Sequence, residues 1–158
     1  MTALRPSVLI FNPAAGARRL AQHLSLIRAA LRDAGFAVEA APTTGVGEAT
    51  ALARAAAQRG AFAVFALGGD GTIREVAAGL LGAESLLAVL PGGTTNVVAR
   101  AFGIPLSPLA AARSAATWIP QWLDAGLCAG QPFLMQTTCG LDATIMAAAS
   151  GAAKARWG

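Results

Sequence analysis

Residues 67–74 read Leu67-Gly68-Gly69-Asp70-Gly71-Thr72-Ile73-Arg74. The apolar run Phe62-Ala63-Val64-Phe65-Ala66, bounded by Gly60, precedes them and has the length and content of a buried strand. Downstream, Ile73, Val76, Ala77 and Leu80 recur at the spacing that places them on one helical face. A strand stops in glycines and a helix starts.

Such a junction suits a phosphate. Glycines lack the Cβ that would hold an anion away from the backbone, and the first amides of the following helix have no intrahelical acceptor. Those amides, together with the helix dipole, can cradle an oxyanion. Asp70 is the odd member, because a carboxylate repels phosphate. Two roles suit it: holding loop amides, or reaching a nucleotide through water on a Mg²⁺ ion.

Upstream, Ser7 to Phe11 is a near-continuous apolar strand closed by the turn residues Asn12-Pro13-Ala14-Ala15-Gly16. Leu20, Leu24, Ile27 and Leu31 then mark a helix, with Gly35 where a C-terminus favours positive φ. Phe36 to Ala40 alternates as a second strand. The loop Pro42-Thr43-Thr44-Gly45-Val46-Gly47 leads into an Ala-rich helix from Glu48 to Arg59.

Beyond the glycine turn, Leu86 to Leu90 reads as a fourth buried strand, followed by Pro91-Gly92-Gly93-Thr94-Thr95-Asn96 and a helix from Val97 to Phe102. Strands alternating with helices argue for an α/β fold of three layers, with a mostly parallel sheet covered on both faces. In open α/β sheets ligands lie outside the carboxyl ends of the strands. Three such ends carry glycine-bearing turns, so one phosphate ligand could touch all three. After Pro105 the pattern weakens: a helix from Pro108 to Ala116 opened by Ser107 and Pro108, strands at Trp118 to Leu123 and Pro132 to Thr138 around a turn at Ala125-Gly126-Leu127, and an Ala-rich helix from Asp142 to Gly158.

The 158 residues amount to one domain, and 55% apolar content fills a real core. Lys154 and eleven scattered Arg set against eight acidic residues give a formal charge of +4, without a basic run or aromatic interleaving. That field favours anionic nucleotides or an acidic membrane surface and gives no sign of nucleic-acid binding. Cys128 and Cys139 have neither CxxC spacing nor a His partner and read as free, buried or partly buried thiols in a reducing compartment. The lone His23 reads as a surface histidine. The N-terminal apolar segment is too short for a secretory signal, and the longest uncharged stretch, Ala125 to Leu141, is broken by Gly, Pro, Gln and Thr. The expectation is a cytoplasmic protein able to associate with the inner membrane face.

Asn12 to Gly16, Gly68 to Thr72 and Leu90 to Asn96, in this order and spacing, resemble the diacylglycerol kinase catalytic-domain family, which includes bacterial lipid kinases and the sphingosine and ceramide kinases. Ile104-Pro105, Asp124 and Gly140-Leu141-Asp142-Ala143 also resemble family positions. The resemblance implies ATP and Mg²⁺ as cofactors, a lipid hydroxyl such as that of diacylglycerol as acceptor, and the fold of the N-terminal domain shared by NAD kinases and diacylglycerol kinases. It places the nucleotide on Asn12, Pro13, Ala14, Ala15 and Gly16, on Thr43, on Gly68, Gly69, Asp70, Gly71, Thr72, Ile73 and Arg74, and on Thr94, with Asp70 as a metal contact through water. Arg74 stands where Asn is frequent and reads either as a phosphate contact or as a solvated helix residue. Val97 stands where many relatives carry Asp, so that carboxylate's role is absent.

Family kinases resemble a two-domain clamp whose second, β-rich domain supplies the catalytic base and the lipid pocket. The expectation is therefore that residues 1–158 form the nucleotide-binding domain alone, inactive by itself, with no catalytic base and with the lipid partner reached through the missing domain. Apolar surface left by that cut predicts dimerisation or an unordered tail from Ala143 to Ala153. The competing readings are an NAD kinase, which shares the Gly-Gly-Asp-Gly turn, and a non-catalytic nucleotide-binding module.

Overall fold

The computed structural model of the chain describes residues 3–13 and 17–136, with side chains from residue 23 onward in the second span. The readings on Ala14, Ala15, Gly16, Cys139 and the Asp142 helix lie outside the described residues. Strands and helices alternate as the sequence suggests: β1 (Arg5–Phe11), α1 (Ala17–Asp33), β2 (Phe36–Pro42), α2 (Glu48–Gln58), β3 (Ala63–Gly68), α3 (Asp70–Leu80) and β4 (Leu86–Pro91). Two shorter helices follow, α4 (Val97–Ala101) and α5 (Pro108–Ser114), and then a hairpin of β5 (Gly126–Cys128) and β6 (Gln131–Phe133).

The four long strands form one parallel sheet in the order β2-β1-β3-β4. Side-chain alternation sorts the core into two layers. Leu9 and Phe11 of β1, with Phe65 and Leu67 of β3, face α1 and α5 through Ile27, Leu31, Ala111 and Ala112. Val8, Ile10, Val64 and Ala66 face α2, α3 and α4 through Ala53, Ile73, Val76 and Ala99. Helices thus cover both faces, and β3 is buried along its whole length, which is why its run is continuously apolar.

Small residues set the spacing of the second layer. A Cβ on Gly79 would lie 2.8 Å from the Ala53 Cβ and 3.0 Å from the Arg54 nitrogen, and closer still to the Thr50 carbonyl oxygen. The α2 and α3 backbones therefore touch, and the Thr50 hydroxyl bridges them by donating to the Glu75 carbonyl at 2.9 Å. At the amino end of the sheet the Arg5 guanidinium stacks 3.9 Å from the Phe36 ring centroid and donates to the Ala34 carbonyl at 3.0 Å, tying the exit of α1 to the starts of β1 and β2. Gly35, at φ 91°, makes that exit in the left-handed region, as its place after α1 suggests.

The carboxyl end of β2 is closed differently. Both the amide and the hydroxyl of Thr44 donate to the Glu48 carboxylate, the hydroxyl at 2.7 Å. These bonds hold the Glu48 carboxyl below its ordinary value of 4.5.

Beyond α5 the structure departs from the sequence reading. Trp118 to Leu123 is not a strand: a 3-10 turn at Ala115–Thr117 is followed by irregular backbone, with Ile119 81% exposed and Trp122 fully exposed. Apolar content there had no neighbouring strand to pair with. The hairpin turn lies at Ala129-Gly130, with φ 48° and 74°, and not at Ala125-Gly126-Leu127; two successive positive φ values match the right-handed twist of the flanking strands. The strand expected from Pro132 reduces to Gln131–Phe133 within the described residues. Cys128 is free as expected but exposed, not buried.

Two outcomes follow from this packing. Gly79→Ala should lower the stability measured by urea unfolding by about 1–3 kcal/mol through overpacking, whereas Gly45→Ala, where a Cβ meets nothing within 4 Å, should change it by less than about 0.5 kcal/mol. A carboxyl with a depressed folded value contributes stability that is present above its unfolded value and lost as pH falls through the folded one. The Thr44 amide resonance should accordingly titrate with a midpoint below 4.5, and the titration should vanish in Glu48→Gln.

Candidate functional site

The strand order places the candidate site. β1 connects to β2 on one side and the chain then crosses to β3 on the other, so the order reverses between β1 and β3, and in open α/β sheets it is outside the carboxyl ends at such a reversal that ligands bind. The register aligns those ends: Phe11 stands opposite Pro42 and Leu67, and Gly68 opposite Pro91. Asn12, Thr43, Gly69 and Gly92, each following a strand's last residue, therefore leave one edge of the sheet together.

Two of these exits are locked backbone to backbone. The Gly92 amide donates to the Gly68 carbonyl at 2.8 Å. A Cβ on Gly93 would lie 2.6 Å from the Gly69 Cα, and one on Gly69 would lie 3.4 Å from the Gly93 Cα. A side chain at Gly93 would force the turns apart, whereas one at Gly69 would begin at ordinary contact distance.

Within the first of the two, the loop is shorter than the sequence suggests. β3 runs on through Leu67 to Gly68, Gly69 alone serves as N-cap in extended conformation, and Asp70 already begins α3. Asp70, Gly71 and Thr72 thus present the first amides of the helix, which have no intrahelical acceptor. Thr72 lies over Gly68, where a Cβ would meet its hydroxyl at 2.6 Å. Ile73 is wholly buried in the core, so its side chain is unavailable to a ligand. Arg74 is exposed on the helix, with no hydrogen bond or ion pair among the described residues.

The second turn is organised by Asn96, which the residue-by-residue reading had not singled out. Its side chain, 4% exposed, accepts from the Gly93 amide at 2.9 Å and donates to the Gly93 carbonyl at 2.6 Å. Its backbone sits at φ 50°, a left-handed conformation that Asn tolerates better than most residues. An Asn just before a helix was the available signal, although it ordinarily implies a cap of that helix, and α4 receives none from it. The cap comes instead from Asp70, whose Oδ1 accepts the Val97 amide at 2.7 Å. Arg100 adds a further tie by donating from Nε to the Thr95 carbonyl at 2.8 Å, which leaves Thr94 exposed at the tip.

On the β1 side, Asn12 and Pro13 are exposed. Thr43 is buried, with its amide donating to the Phe11 carbonyl at 2.8 Å and its hydroxyl directed to the same oxygen at 3.4 Å. Thr43 therefore fastens the second loop to the first.

Chemically, this edge presents amides, small hydroxyls and exposed arginines, a donor set for phosphate oxygens. It suits a divalent cation poorly. Among the described residues no three His, Cys, Asp or Glu side chains come together, and Asp70 already gives one oxygen to Val97. A magnesium ion here would be held chiefly by nucleotide phosphates and water.

Comparison with known proteins agrees with this geometry. The family model of the diacylglycerol kinase catalytic domain matches residues 6–128. The chain is 39% identical over 129 residues to a diacylglycerol kinase of Bacillus subtilis, covering 80% of this chain and 43% of that protein. It is 40% identical over 119 residues to a probable YegS-like lipid kinase of Pseudomonas putida, covering 74% and 40%. A solved structure of a putative diacylglycerol kinase from Bacillus anthracis superposes with a TM-score of 0.75 at 32% identity, covering 85% of this chain and 46% of that one. The chain thus spans less than half the length of these relatives, and among its described residues no helix is long and apolar enough to cross a membrane. With its parallel sheet, its paired glycine turns and a family match across most of its length, the chain belongs to the diacylglycerol kinase catalytic-domain family of lipid kinases.

Proposed function

We propose that this chain is the nucleotide-binding domain of an ATP-dependent lipid kinase that passes the γ-phosphoryl group of Mg·ATP to a lipid hydroxyl such as that of diacylglycerol. The observation that carries the reading is the glycine-on-glycine contact of Gly69 and Gly93, because it brings two sets of backbone donors to one strand edge. Phosphoryl transfer asks mainly for positioning and charge stabilisation. The first amides of α3 and the Thr94 tip would hold the phosphates, Asn12 and Thr43 would flank the nucleotide, and Arg74 would meet an outer phosphate oxygen as a solvent-side cation. Magnesium, when bound, would neutralise phosphate charge. In this reading the acceptor hydroxyl is activated from outside residues 1–158. A cytoplasmic location with peripheral access to the membrane suits such an acceptor.

The test is incubation of the full-length gene product with γ-labelled ATP and either diacylglycerol vesicles or NAD. Label should enter the lipid; label in NAD alone would favour an NAD kinase, and no transfer together with tight ATP binding would favour a non-catalytic module. Gly93→Ala should weaken ATP binding by calorimetry about fivefold to a hundredfold, as a turn forced open by about 1–3 kcal/mol implies.

A further inference from the structure

Asp70 does more than its place in α3 requires. An acidic residue in a helix's first turn ordinarily interacts with the amides and dipole of that helix. Here its Oδ1 leaves α3 and takes the amide of Val97, 27 residues along the chain. Val97 opens α4, and the residue placed to cap it, Asn96, has both polar side-chain atoms committed to Gly93.

We propose that Asp70 is a positioning residue that caps α4 from the neighbouring turn and so sets the spacing of the two phosphate-facing loops, and that it is not a ligand of the nucleotide's metal ion. The proposal rests on the reading of these loops as the nucleotide site. The remaining ties between the turns, the Gly92 amide on the Gly68 carbonyl and the contact of Gly69 with Gly93, act at the strand ends. Neither reaches the start of α4. The Asp70 bond fastens that far side, so the segment carrying Thr94 and Thr95 is held at both ends. A cap requires an acceptor oxygen at the right place, which an amide supplies as well as a carboxylate does. A metal contact requires the charge.

Calorimetry of the full-length protein with ATP, with and without Mg²⁺, on wild type, Asp70→Asn and Asp70→Ala separates the roles, circular dichroism verifying the fold of each. The cap predicts that Asn binds ATP within about threefold of wild type, that Ala binds about tenfold more weakly, and that the ratio between them is the same with and without Mg²⁺. The Val97 amide resonance should stay near its wild-type position in Asp70→Asn and move in Asp70→Ala. Equal losses in Asn and Ala that appear only with Mg²⁺ would overturn the proposal while leaving the nucleotide site standing, and should Ala fail to fold, a Mg²⁺-dependent loss in Asn alone would do the same. Wild-type protein that binds no ATP under either condition would overturn both.

Discussion

The loops at the candidate site depend on two residues without side chains, Gly69 and Gly93, which meet just past the ends of adjacent parallel strands. A methyl group at Gly93 would stand 2.6 Å from the opposing Cα, a separation that packed atoms do not sustain. The remaining geometry of the edge depends on that approach. It accompanies the bond of the Gly92 amide to the Gly68 carbonyl and that of the Val97 amide, at the start of α4, to the Asp70 carboxylate. Hydrogen bonding then completes what the absence of side chains permits: Asn96 closes its own turn on Gly93, and Arg100 steadies Thr95.

The scaffold that makes this possible is organised away from the site. Its two core layers bury β3 completely and use alanines and Gly79 to bring α2 against α3, while the stack of Arg5 on Phe36 lies at the amino end of the sheet. The loops at the carboxyl ends are free to carry exposed polar residues, the usual division in open α/β folds.

Much of this was legible in the sequence because the signals are local. Continuous apolar runs closed by turn residues marked β1, β3 and β4, helical spacing marked α1 and α3, and the alternation of the two implied a parallel sheet. Boundaries were less legible. β3 continues through Leu67 to Gly68, and β4 through Pro91, since an edge strand tolerates proline. Misreadings came where the answer depends on distant partners: Trp118 to Leu123 has apolar content but no strand beside it, and the turn at Ala129-Gly130 is chosen by cross-strand register. The same holds at the site. Asp70 was legible as an oddity among phosphate-facing glycines, but the amide it serves lies 27 residues away, and no spacing rule connects the two.

In the proposed function, backbone amides from separate strand ends act on one polyphosphate. The most direct measurement is a nitrogen–proton correlation spectrum of the isotopically labelled protein titrated with ATP. The account predicts that the amides of residues 69–72 and 92–95 and that of Asn12 shift together along a single binding curve. Shifts confined to one turn, or curves with different midpoints for the two turns, would contradict it.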